Sequence, residues 1–192
     1  MRLFVHRFAH LDVFLYLRAA VSPADDGGRN HEILFSILIH IKMAKLKIPN
    51  EWWTAPAESE DGRLILVTGR TGLELVKATG VFVYRIEVTW AYEPDENGMP
   101  DYHTSRLMEQ VTEAMEAEFS KDPVAVNTGI YTGAGERNWV FYCRSLHIFQ
   151  RKLNTILEPF ETLPLTFHAE DDPDWAEYAE MCQCEVHVTE ED

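Results

Sequence analysis

The segment FVYRIEVTW, residues 82–90, alternates without a break: Phe82, Tyr84, Ile86, Val88 and Trp90 fall on one face of an extended chain, and Val83, Arg85, Glu87 and Thr89 on the other. A chain with such a strand must bury one side of a sheet and wet the other. The run LILVT, residues 64–68, is a second strand candidate. LELVKA, residues 73–78, lies between Gly72 and Gly80 and fits a strand or a helical turn; the strand is preferred.

The chain beyond residue 90 sets the topology. EPDENGMPD, residues 93–101, is a loop by its prolines, glycine and asparagine. Beyond it, Leu107, Val111, Met115 and Phe119 recur every fourth residue, with Thr104 or Ser105 as N-cap and Glu109, Glu113 and Glu116 turned outward: an amphipathic helix with an acidic face. Residues 124–132 and 138–143 flank Gly133-Ala134-Gly135-Glu136-Arg137 as a hairpin. Ser145 caps a second helix with the stripe Phe149, Leu153, Ile156, Leu157 and Phe160, stopped by Pro164. Leu165 and Phe167 suggest another strand, and Asp172 with Pro173 opens a last short helix through Trp175 and Tyr178. Strand, helix, strand, strand, helix, strand is the ferredoxin-like split βαβ arrangement. The expected fold is therefore α+β, βαββαβ, an antiparallel sheet covered by two helices, with extra N-terminal strands and a short C-terminal helix.

Charge narrows the function. The 192 residues carry 17 basic and 32 acidic side chains, a net of −15, which repels phosphate backbones and argues against a nucleic-acid partner. The acidity belongs to residues 43–192, which hold all five tryptophans and all three cysteines. Residues 1–42 differ in composition and are expected to be an appendage, or sequence upstream of a native start at Met43. Their apolar run from Leu3 is broken by His6, Arg7, His10 and Asp12, unlike a secretory signal. The run Ile33–Ile41 is about half of the roughly 20 residues needed to span a bilayer. No membrane association is expected, and three cysteines, too few for a disulfide framework, fit a reducing cytoplasm.

No chemical motif is compelling. Gly69-Arg70-Thr71-Gly72 follows a strand rather than joining two helices, so it reads as a turn instead of a nucleic-acid clamp. The phosphate-binding GxxxxGK[ST], the esterase GxSxG and the zinc-protease HExxH patterns are absent. Cys182, Cys184 and His187, with Cys143 as a candidate fourth, have soft-ligand character without the CxxC spacing of structural zinc. Buried small side chains explain these cysteines more simply, and no cofactor is expected. The acidic run Glu170-Asp171-Asp172-Pro173-Asp174 is explained by helix capping at Asp172 and Asp174. Arg137, beside Trp139, is the cation to watch: it would pair with a carboxylate of the 170–174 run or bind an anionic ligand.

Trp90-Ala91-Tyr92, Asn97-Gly98-Met99-Pro100, Leu107 with Glu109, then Gly129, Thr132, Arg137 and Trp139-Val140-Phe141-Tyr142, and finally Asp171-Asp172-Pro173-Asp174-Trp175 with Tyr178, together resemble the family catalogued as domain of unknown function 695. The likeness covers roughly residues 51–181. The resemblance implies no activity, cofactor or catalytic residue. Some similar proteins are joined to a domain like the inhibitory regulator B of ribonuclease E, a small acidic protein that binds an enzyme.

Two functions from different classes fit. One is a non-enzymatic binding or regulatory domain whose acidic faces, Glu109, Glu113 and Glu116 among them, engage a basic protein surface. The other is a small-molecule enzyme or ligand-binding domain with a pocket lined by Trp90, Arg137, Trp139, Tyr142 and Trp175. The lack of a catalytic constellation favours the first.

Overall fold

A computed structural model of the chain describes residues 47–59 and 62–189, with side chains to Glu185. Residues 1–42, expected to be an appendage, lie outside the described residues. The described elements are β1 (Trp52–Glu58), β2 (Leu64–Arg70), α1 (Glu74–Lys77), β3 (Tyr84–Ala91), α2 (Tyr102–Lys121), β4 (Ala125–Gly133), β5 (Glu136–Cys143), α3 (Leu146–Leu157), β6 (Leu165–Asp171) and α4 (Ala176–Thr189). The six strands form one sheet in the order β1-β2-β4-β5-β3-β6, and every neighbouring pair is antiparallel. The fold is thus α+β, as expected.

The alternation of β3 places Ile86, Val88 and Trp90 in the core. Over that face lie α2 and α3, which pack on each other and close a cluster holding Met108, Val111, Met115, Phe119, Phe149, Leu153 and Ile156. Phe119 stacks on Phe149 at 5.2 Å, and both rings meet Phe141 at 5.4 Å. The buried α2 stripe starts at Met108, while Leu107 is only partly covered. The cap is also earlier than expected: Asp101 accepts the His103 and Thr104 amides at 2.7 and 3.0 Å, displacing Thr104 and Ser105 from that role. Ser145 does cap α3, through the Ile148 amide at 3.4 Å, but the helix stops at Leu157, ahead of Pro159, instead of running to Pro164.

The opposite face is not simply wet. α4 lies over β1, β2 and β4, and buries Tyr178, Met181 and Cys184 there, against a layer that includes Val67 and Val126. The sheet is therefore sandwiched between helix layers, the second covering only part of it. This layer corrects two further expectations. Residues 73–78 are helical, not a strand: Gly72, at φ +73°, ends the extended chain, and the buried Leu73 and Val76 sit at helical spacing with Leu75 79% exposed. α4 is long, 14 residues, and starts at Ala176 rather than Pro173, because Trp175 adopts φ +54° and breaks the turn before it. Asp172 still serves that helix, accepting the Ala176 amide at 2.9 Å. Strand β1, unmarked by any alternation, forms the outer edge beside β2.

Candidate functional site

The sheet divides the aromatic and arginine residues expected to line one pocket. Cross-strand register pairs Trp90 with Arg137 and Val88 with Trp139 on the α2/α3 face, whereas Tyr142 faces Arg85 on the other. Trp139 is buried and donates its indole N–H to Thr112 at 2.8 Å. Arg137 does not reach the 170–174 run: its Nε donates to Thr132 Oγ1 at 2.9 Å, and the guanidinium lies 5.9 Å from the Trp139 ring. Burial lowers its pKa, with Tyr92 and Glu109 opposing. On the far side, Trp175 and Tyr142 stack in the α4 layer. The Tyr142 hydroxyl donates to Asp172, and burial with that hydrogen bond pushes the phenol pKa up. Tyr178 donates to the Arg70 carbonyl at 2.9 Å. These three aromatics are core, and Asp174 is exposed.

The α2 carboxylates also part ways. Glu109 and Glu113 face solvent, but Glu116 turns inward and pairs with Arg70, which is only 4% exposed. This corrects the expectation that all three point outward. The Arg70 guanidinium lies 4.2 Å over the Trp52 ring and donates from Nη2 to Asn50 at 3.4 Å. Around the pair is a recess of about 370 Å³ whose lining includes Asn50, Arg70, Glu116, Phe119 and Asn127. Sequence reasoning missed Arg70 and Asn127 as site residues. Their one signal is polarity where the strand pattern calls for apolar side chains, Arg70 closing LILVTGR and Asn127 inside AVNTGIY.

A second polar centre lies on the α4 side of β3, where a wet face was expected. Arg85 donates to Glu177 at 2.8 Å, and its guanidinium lies 3.0 Å from Glu170 and 3.5 Å from Glu87. Burial by itself would lower the Arg85 pKa, but Glu177, Glu170 and Glu87 outweigh it and raise it. Burial raises the Glu87 pKa although Arg85 opposes this. Tyr131, which donates to Glu177 at 2.7 Å, is likewise pushed well up by burial and that neighbouring charge.

Register also gathers charge at one end of the sheet. Residue pairs Glu58–Leu64, Ile65–Gly133, Ala91–Glu136 and Trp90–Leu165 bring four connections together there. That end carries the exposed Glu58, Glu93, Asp95, Glu96, Asp101, Glu136, Glu158 and Glu161. The Thr104 amide and hydroxyl hold the Asp101 carboxyl below its ordinary pKa.

All three cysteines are free thiols. Cys143 is buried, which pushes its pKa up to about 12. The side chain of His187 lies outside the described residues, and among the described residues no group of three His, Cys, Asp or Glu would hold a metal ion. No described helix is long and apolar enough to cross a membrane.

No curated protein and no solved structure matches the chain. A family model does: by its match to residues 51–182, the chain belongs to the Family of unknown function (DUF695).

Proposed function

We propose that this protein is a non-enzymatic binding or regulatory domain of the cytoplasm that engages a basic protein surface through its acidic end. The observation that carries this reading is the convergence of eight exposed carboxylates on the connections at one end of the sheet. Two of them also serve the backbone: Asp95 accepts the Asn97 and Met99 amides at 2.8 and 2.9 Å, and Asp101 caps α2. Such carboxylates are fixed in place and ordered before any partner arrives, which lowers the entropic cost of binding. Fields of this kind mainly raise the association rate and set specificity. Glu109 and Glu113, exposed on α2, extend the acidic surface. Three free thiols support a reducing compartment.

The finer fold belongs to the same proposal. We read β3-α2-β4-β5-α3-β6 as a ferredoxin-like split βαβ unit, extended by β1 and β2. What supports it is the order β4-β5-β3-β6, with both helices over one face.

The test is capture from native lysate by the full chain, against two charge-reversed forms. One carries Glu93→Lys, Glu96→Lys and Glu136→Lys; the other carries Glu109→Lys and Glu113→Lys. The expected result is one basic protein, released as salt rises and lost with the first form. Retention of that protein by both reversed forms would discard the reading.

A further inference from the structure

The recess at the opposite end of β2 from the acidic connections holds three buried polar atoms without a partner: Arg70 Nε, Asn127 Nδ2 and Glu116 Oε1. Buried polar atoms are almost always paired, and three of them carried by residues that line one recess mark a place where something else completes the bonding. Their orientation is fixed. Asn127 Oδ1 accepts the Gly129 amide at 3.2 Å, which turns Nδ2 the other way, and the β-bulge between Asn127 and Gly129 re-aims the side chain. Glu116 Oε2 is occupied by Arg70, leaving Oε1. Trp52 covers one face of the guanidinium.

We propose that this recess binds a small, uncharged cyclic amide, a planar ring that presents a carbonyl oxygen beside an N–H, as lactams, cyclic imides and free nucleobases do. Arg70 and Asn127 supply donors for the carbonyl, and Glu116 Oε1 accepts the N–H. Because Arg70 and Glu116 cancel each other's charge, the recess offers no net field to an ion. A carboxylate would meet Glu116 and a cation would meet Arg70, each unfavourably in a desolvated site. Ile48, Pro49 and Phe119 supply apolar walls for a ring. The volume of about 370 Å³ falls within the ordinary span of small-ligand sites. Binding here does not depend on a protein partner at the acidic end.

The test titrates the full chain with uracil, using benzoate and benzamidinium as charged rings of similar size, and follows the Trp52 indole and Asn127 side-chain amide resonances by NMR. Uracil is expected to shift both saturably, and to bind about tenfold or more tighter than either charged ring, since a site built to hydrogen-bond rejects what leaves its groups unpaired. Glu116→Gln, which keeps shape but replaces one acceptor with a donor, is expected to weaken uracil binding about tenfold. Asn127→Asp, which removes the Nδ2 donor but keeps Oδ1 for Gly129, is expected to weaken it similarly, its melting curve first confirming a folded chain. Equal affinity for all three rings, or an unchanged affinity in both variants, would overturn the proposal. So would the absence of any saturable shift, which would leave ordered water as the only occupant.

Discussion

Trp175 stacks on Tyr142 with ring centroids 4.2 Å apart and planes 13° from parallel, while its indole N–H donates to the Phe82 carbonyl at 2.8 Å. The pair locks the start of α4 to β5 even though Trp175 holds φ +54°, a conformation that disfavours any side chain. Packing here outweighs backbone strain. Trp175→Ala keeps the strain and loses the packing, so it is expected to cost about 3–5 kcal/mol in a denaturant titration. Trp175→Phe keeps a stacked ring and loses the indole bond, and should cost clearly less.

Gly129 tests the closeness of α4 to the sheet. A Cβ at this position would lie 2.2 Å from Met181 Sδ and 2.9 Å from the Thr68 carbonyl oxygen. The methionine can move, but the backbone of β2 cannot. Gly129→Ala is therefore expected to destabilise by about 1–3 kcal/mol, and the additional change Met181→Ala should recover little of it. Full recovery would show that the sulfur alone sets the limit.

Glu87 predicts a pH signature. Its pKa is raised by burial, so the fold favours the neutral acid. The stability linked to this is fully present below the ordinary glutamate pKa and is lost as pH rises through the raised value. Glu87→Gln should therefore raise the melting temperature at about pH 8, and the gain should vanish near pH 4, where the native chain is protonated in both states. An equal gain at both pH values would assign it to something other than ionisation.

The thiols should react in a definite order. Cys143 and Cys184 are buried and Cys182 is half-buried, and burial raises the pKa of all three. Alkylation of the native chain, followed by peptide mass spectrometry, is expected to label Cys182 first, with Cys143 reacting only after unfolding.

Local periodicity made part of this structure legible. The β3 alternation, the α2 stripe and the Gly133-Ala134-Gly135 turn are short-range patterns, and the structure keeps all three, with the α2 stripe opening at Met108 instead of Leu107. β1 was not legible: Trp52 and Trp53 are adjacent, and Pro56 interrupts the run, so no period-two signal survives at this edge. Residues 73–78 misled because six residues cannot separate a strand from a turn of helix. The recess was invisible for another reason. It is assembled from residues near 50, 70, 116 and 127, and no local rule links an arginine closing one strand to an asparagine beside a bulge in another.

The place of β3 between β5 and β6 bears on how the chain is made. β1 and β2 are consecutive in the chain and pair with each other, as do β4 and β5, but β3 has no partner among the strands before it. Its first partner begins at Glu136 and its second at Leu165, so the longest apolar alternation in the protein leaves the ribosome with both edges open. Long-range pairing of this kind slows folding and leaves an unpaired strand exposed. Chaperone demand during synthesis should therefore fall on residues 84–91, and should end only when β6 has emerged.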